Sequence, residues 1–266
     1  ALSERKPYPG CIASAPDDFA ASIIALASTA MGAAAQVGIG TEGLILVGLT
    51  VGLMCGATNG VLVTRFGLPS IVVTIGTMSL FRGISFIILG DQAYRGYPQD
   101  FAYFGQGYLW WVISFEFILF IILAIVYGII LHMTNFGRAV YAIGNNPTGA
   151  LFSGIRVNRV KFILFLLTGL MSGVAAICLT SRLGSTRPSI AFGWELEIVT
   201  MVVLGGVNIL GGSGSIPGVL IAAFVMGLVT FGLGLLNVPG IVMSIVIGAL
   251  LISVIALPRL WSMWSR

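Results

Sequence analysis

IVTMVVLGGVNILGGSGSIPGVLIAAFVMGLVTFGLGLLNVPGIVMSIVIGALLISVIALP, residues 198–258, contains no ionisable side chain. Such a stretch has room for two or three membrane crossings at about 20 residues each. The rest of the chain has the same character: of 266 residues, 58% are hydrophobic and 8% are charged, and mean hydropathy is +1.05. A soluble domain carries roughly 25% charged residues, because a water-facing surface needs them. Thirteen Lys and Arg with nine Asp and Glu cannot cover a 28.0 kDa globule, so the apolar atoms must face lipid. Glycine, at 36 residues, is far above its usual share of about 7%, without the Gly-X-Y period of collagen. Small residues recurring inside apolar runs suit helices whose backbones pack closely in a membrane. The fold class is therefore all-α, a polytopic transmembrane helical bundle.

Apolar runs of bilayer length predict about eight spans, at residues 19–37, 44–63, 70–89, 109–133, 161–180, 196–210, 216–236 and 239–257. The sixth is short and broken by glycine. Residues 133–161 hold Arg138, Arg156, Arg159 and Lys161 and no acid, which makes that segment cytoplasmic by the positive-inside rule. Alternation then puts Arg65, the 211–215 turn and Arg259 and Arg266 inside. Residues 90–108 and 181–195, with Asp91, Arg95, Asp100, Arg182, Arg187 and Glu195, fall outside, and both termini are cytoplasmic. Trp110, Trp111 and Trp194 sit at outer edges and Trp261 and Trp264 at an inner edge, as an aromatic belt would. The chain divides into a polar segment at 1–18, read as disordered, a transmembrane domain at 19–258 and a cytoplasmic tail at 259–266.

The net charge of +4 forms no basic face, so nucleic acid is not an expected partner. Cys11, Cys55 and Cys178 have no metal or redox spacing and read as packing residues. Arg82 and Glu116 are the ionisable residues that fall within spans, and such residues are functional candidates. Arg82 lies mid-segment and is a candidate for an internal path. Glu116 is close enough to the outer interface to snorkel. His132 reads as an interfacial histidine with no second histidine to partner it. No HExxH, GxSxG or Walker-type loop occurs, so no catalytic residue, metal or cofactor is assigned.

The run GGVNILGGSGS reads as two half-length elements meeting at a kinked turn. Irregular backbone at that depth is tolerated only beside protein or a water-filled cavity. It is thus a pore-lining region or, more plainly, a helix-packing turn. IVVTIGTMSLFRG (71–83) and IVTMVVLGGVNILGG (198–212) share a loose pattern in opposite orientations, as inverted repeats of transporters do. Polar groups within the apolar spans give a candidate translocation path of Asn59, Thr74, Thr77, Arg82, Gly205, Gly206, Asn208, Gly211 and Gly212.

The remaining signal is FGRAVYAIGNNPTGALFSGIRVNRVKF, residues 136–162. Asn146 before Pro147 is a helix-entry signal, and Gly154 ends the short helix that follows. The loop's centre is uncharged and ordered by Gly, Asn and Pro. It reads as a protein-docking knob rather than a basic patch for lipid headgroups.

Three stretches together resemble the permease subunits of bacterial ABC importers for simple sugars, in the ribose/branched-chain-amino-acid permease superfamily. They are TNGVLVTRFGLPSIVVTIGTMSLFRG (58–83), FGRAVYAIGNNPTGALFSGI (136–155) and ELEIVTMVVLGGVNILGGSGSIPG (195–218). Their order and spacing agree from about Asn59 to the C-terminus. With YPQDFAYFGQGY (97–108), the resemblance is closest to rhamnose-type permeases and then to autoinducer-2-type ones. The resemblance implies a multi-pass protein of the bacterial cytoplasmic (inner) membrane that carries a rhamnose-like monosaccharide and does not itself hydrolyse ATP. The implied partners are two ABC ATPase subunits or a fused tandem ATPase, a second permease chain as homo- or heterodimer, a periplasmic sugar-binding protein and membrane lipid. Gly137, Arg138, Gly144, Asn145, Asn146, Pro147, Ala150, Ser153 and Gly154 would form the ATPase-coupling loop with its coupling helix.

The first span departs from the family pattern. Where a Gly-Gly-Ile-Asp-Leu-Ser-type motif is expected, this chain reads APDDFAASIIALAS (15–28), keeping Asp18 and Ser22. Polar sequence stands upstream where further spans are implied, so the N-terminus reads as truncated or replaced. The alternative function is a self-contained secondary transporter or channel for a small polar solute. Ion coupling would need more charges within the membrane than Arg82 and Glu116.

Overall fold

The computed structural model describes residues 19–90, 92–109, 113–208 and 211–264. The polar segment 1–18, with Cys11, and Asp91, Trp110, Trp111 and Arg266 lie outside them. The described residues form eleven helices and one short hairpin. The helices are α1 (Ala20–Gln36), α2 (Thr41–Thr64), α3 (Ser70–Leu89), α4 (Gln99–Gln106), α5 (Phe115–Met133), α6 (Asn135–Asn145), α7 (Pro147–Phe152), α8 (Val157–Leu183), α9 (Trp194–Leu204), α10 (Ile216–Leu235) and α11 (Gly240–Trp264). Strands β1 (Tyr108–Leu109) and β2 (Ile113–Ser114) pair antiparallel, with Tyr108 opposite Ser114.

By length and composition, α2, α3, α5, α8 and α10 are long and apolar enough to cross a membrane, while α1 and Gly240–Val254 of α11 are shorter apolar helices. The alanine-rich α1 is the bundle's centre. Eleven of its residues are buried, and it packs on α2, α3 and α8. Alanine suits that role because it favours the helix and lets neighbours approach. The helix ends in a Schellman turn, with Ile39 N–H to Ala34 O at 3.3 Å and Gly38 N–H to Ala35 O at 3.0 Å, and Gly38 at φ +82°.

The closest packing joins α2 to α8. Gly48, Gly52, Gly56 and Gly60 recur every fourth residue, hence on one helical face. A Cβ on Gly52 would lie 2.5 Å from the Gly169 carbonyl oxygen, and one on Gly56 would lie 2.5 Å from that of Phe165. From the other side, a Cβ on Gly173 would come within 2.8 Å of the Gly48 oxygen. The two backbones touch, which no larger residue would permit. By contrast, α5 buries none of its side chains, and α10 buries only Ala222 and Met226, as helices bordering lipid do.

Several boundaries differ from the sequence expectation. Helix α8 runs over Val157–Leu183 where 161–180 is expected, and α9 ends at Leu204 instead of 210, where Gly205 and Gly206 halt the helix. The fourth span starts at Phe115 instead of 109, because Phe115 N–H bonds to Gly107 O at 3.0 Å across the hairpin. Tyr108 and Ile113, aromatic and β-branched, favour extended backbone in the two strands. Residues 90–108 contain the unanticipated helix α4, which docks on the end of α8 by burying Phe101. Finally, α11 runs on through residue 258, so the tail at 259–266 is helical as far as Trp264. The similar stretches 71–83 and 198–212 do run in opposite directions: α3 leads away from the end holding α6 and α7, and α9 leads back to it.

Candidate functional site

Two places gather polar or strained groups, one at each end of the bundle. At the basic end, Thr134 opens α6 by accepting a hydrogen bond from Gly137 N–H at 3.3 Å, and the Arg138 guanidinium donates to Asn135 Oδ1. Asn146 opens α7, its Oδ1 accepting from Gly149 N–H at 3.0 Å, with Pro147 as the first helical residue. That arrangement fills an otherwise orphaned backbone donor. Ser153 Oγ donates back to Gly149 O at 3.0 Å, and Gly154 stops the helix at φ +82°. Ala150 is the buried foot of the knob, against Ile143 and Val160. At its tip, Leu151 is 58% exposed and Phe152 is 86% exposed.

The knob is fastened to the glycine turn. Gly205 caps α9, Gly206 takes φ +82°, and Asn208 N–H bonds to Ser213 O at 2.9 Å. Gly211 N–H bonds to Asn208 O at 2.8 Å, closing the turn. Gly211 and Gly212, at φ +91° and +85°, lie against Gly144 and Asn145; a Cβ on Gly144 would sit 2.5 Å from Gly212 N. Tyr141 Oη donates to Gly214 O at 2.9 Å across the same seam. Beside it is a cavity of about 220 Å³, lined by Leu131, Val140, Leu164, Val207 and Val219 among others. Two stretches expected to act separately, one as coupling loop and one as path, therefore form one cluster.

The other path candidates do not join it. Asn59 is fully buried on α2, and neither its Nδ2 nor its Oδ1 has a hydrogen-bond partner. Thr74 and Thr77 spend their hydroxyls on Ile71 O (3.1 Å) and Val73 O (2.9 Å) of their own helix. Arg82 lies towards the opposite end. It forms an ion pair with Glu195, donates to Ala191 O at 3.4 Å, and stands 4.8 Å from the Phe192 ring centroid. Sequence reasoning missed Glu195 as this partner and Tyr141 as a fastener. An arginine within an apolar helix demands a carboxylate, and Glu195 and Glu197 open the only glycine-broken span. Glu116 is engaged elsewhere, 3.2 Å from the exposed Arg182.

The opposite end is closed by the segment before α4. Tyr94 and Thr186 pair through both backbone bonds at 3.0 Å, and Tyr97 Oη lies 2.5 Å from Thr186 Oγ1, to which Ser28 Oγ also donates at 3.3 Å. Burial pushes the Tyr97 phenol up to about 12, partly offset by the Thr186 hydrogen bond. Ser181 Oγ accepts from Gly105 N–H at 2.7 Å and donates to Phe101 O at 2.6 Å.

Residues 18–255 match the family described as "Branched-chain amino acid transport system / permease component". Among similar curated proteins is the Autoinducer 2 import system permease protein LsrD of Escherichia coli (strain K12). It is 38% identical over 240 residues, covering 88% of this chain and 72% of the relative. The Ribose import permease protein RbsC of Bacillus subtilis (strain 168) is 34% identical over 240 residues, covering 90% of this chain and 74% of the relative. No solved structure matches. Both relatives are transport permeases, and this chain likewise is a transport component and not an enzyme. Since the matched region spans the glycine-packed core, the knob and the broken helix alike, the chain belongs to the permease-component family of branched-chain amino acid transport systems.

Proposed function

We propose that this chain is the membrane-spanning subunit of an ATP-driven importer for a simple sugar, with a rhamnose-like monosaccharide as cargo. The names of its relatives, an autoinducer 2 importer and a ribose importer, support a small hydroxylated solute. Eight segments enter the inner membrane, with α1 and α11 joining the five long apolar helices as crossings and α9 as the glycine-broken half-span, and both termini are cytoplasmic. The basic end faces the cytoplasm, where α7 is the coupling helix. Two ABC ATPase subunits or a fused tandem ATPase seat on it. A second permease chain completes the path, and a periplasmic sugar-binding protein delivers cargo to the opposite end.

The observation that carries this reading is the knob itself. A six-residue helix, capped by Asn146 and stopped by Gly154, holds Leu151 and Phe152 out from the bundle while its neighbour α6 is fastened to the glycine turn. An apolar tip on a rigid base suits a groove in a partner protein, since exposed aromatic anchors contribute most to such contacts. Movement of the ATPases would be passed to the turn and from there to α9. That is rigid-body rocking around a central path lined by Asn59, Thr74, Thr77, Arg82, Gly205, Gly206, Asn208, Gly211 and Gly212.

Deletion of residues 145–154 tests it. The shortened chain is expected to insert into the membrane and to lose co-purification with its ATPase subunit. Undiminished co-purification would refute the docking role. Labelling of a cysteine at Phe152 only from the extracytoplasmic side would refute the orientation.

A further inference from the structure

One guanidinium holds the whole entry to α9. Arg82 on α3 reaches the Ala191 carbonyl, the Phe192 ring and the Glu195 carboxylate, all within five consecutive residues of another segment. That segment is strained. Ala191 takes φ +59°, uncommon for any residue with a Cβ, and Gly193 follows at φ +85°. The pair is largely out of solvent, with side chains 11% and 14% exposed. Yet Arg82 is only partly satisfied, because its Nε and Nη1 are buried without a partner. A purely structural ion pair gains from filling every donor, and an unfilled one is easier to release. Behind the clamp, α9 is an 11-residue helix that buries only Thr200 and leads directly into the turn fastened to the knob.

We propose that Arg82 is a positioning residue of transport. It clamps the start of α9 to α3, closing the outer mouth of the bundle, and is released when the knob draws α9 away. The proposal rests on the orientation given under the previous heading.

Ser85, fully buried on α3 one turn beyond Arg82, is the reporter site. The experiment uses the full chain in right-side-out membrane vesicles, with Cys11, Cys55 and Cys178 changed to Ala and Ser85→Cys added. The probe is a membrane-impermeant maleimide. Labelling is expected to be slow with Arg82 present and about tenfold faster with Arg82→Gln, which leaves a buried carboxylate unpaired. The isosteric Glu195→Gln is expected to give a smaller rise, and it carries the test if the Arg82 variant fails to insert. Loss of a merely structural pair would lower thermal stability without opening one side, so parent-rate labelling in whichever of these variants insert overturns the clamp. A separate Phe192→Cys variant, at an exposed position, separates the two readings. Its labelling from outside, with the Ser85→Cys reporter indifferent, overturns the clamp alone. Its labelling only from inside overturns the orientation, and the outer mouth with it.

Discussion

The α2–α8 contact and the stretch around α9 are both rich in glycine, yet they fold in opposite ways. On α2 the glycines recur every fourth residue and so share one face, where they admit the backbone of α8. After α9 they come in adjacent pairs, Gly205–Gly206 and Gly211–Gly212, three of them at positive φ, and the helix stops. The spacing of glycine, more than its abundance, separates a rigid seam from a hinge. The first region holds α1, α2 and α8 as one body. The second leaves α9 about 16 Å long, roughly half a bilayer, with only Thr200 buried, resting on α10 and α11 between the Arg82–Glu195 ion pair and the glycine turn.

The comparison is broken most forcefully at the seam. Gly169→Ala would put a Cβ 2.7 Å from Gly56 Cα and 2.9 Å from Gly56 N, and both obstacles are backbone. We expect a loss of about 1–3 kcal/mol, the usual range for overpacking. It would be read as a lowered melting temperature in detergent. On the lipid-bordering α10, a Cβ on Gly227 meets nothing within 4 Å, and Gly227→Ala is expected to be neutral or slightly stabilising. Equal effects at the two sites would show that the α2–α8 backbones are not in contact.

A smaller effect is expected at the knob. Asn146→Ala removes the cap of α7, worth about 1 kcal/mol, while Asn146→Asp keeps an acceptor for Gly149 N–H. Amide exchange over 147–152 should quicken in the first and hold near the parent rate in the second. Binding to an ATPase partner should follow the same order. Tyr141→Phe sharpens the comparison further, because it removes the bond to Gly214 O and leaves the fold alone. About 1 kcal/mol corresponds to roughly fivefold faster exchange across 211–215, with the α2–α8 seam unchanged. Equal quickening in both regions would mean that the hinge and the seam are one cooperative unit.

Much of this was legible from the chain alone, where local chemistry decides the outcome. Pro69 and Gly90 bracket α3 at the residues expected, and Asn146 followed by Pro147 marks the start of α7. The broken sixth span is short because paired glycines favour turns whatever surrounds them. What could not be read depended on partners distant in sequence. Helix α4 has eight residues and owes its order to Phe101 and Gly105 meeting α8, which no local pattern announces. The choice of Glu195 by Arg82 spans 113 positions, and Glu116 and Glu197 were equally plausible carboxylates. Likewise Gly144 and Gly212 each look like ordinary turn glycines until they face one another.

The smallest expected effect lies at the opposite end, in the cap over α1 and α8. Tyr97 packs against Phe101 with ring centroids 5.2 Å apart, and its hydroxyl sits on Thr186. Burial raises its phenol from 10.0 to about 12, so the fold favours the protonated, neutral form. Stability from this group is therefore complete below pH 10 and drains away as pH rises towards 12. In a tyrosinate absorbance titration of the detergent-solubilised chain, Tyr97 should be among the late-titrating of its seven tyrosines, and Tyr97→Phe should lower the amplitude of the late step by one tyrosine. The same variant should make melting less sensitive to pH above 10 while leaving it little changed at neutral pH. If the late step keeps its full amplitude after the substitution, the cap is more open to water than its hydrogen bonds imply. The link from Thr186 to Ser28 on α1 would then be too weak to hold the mouth from that side.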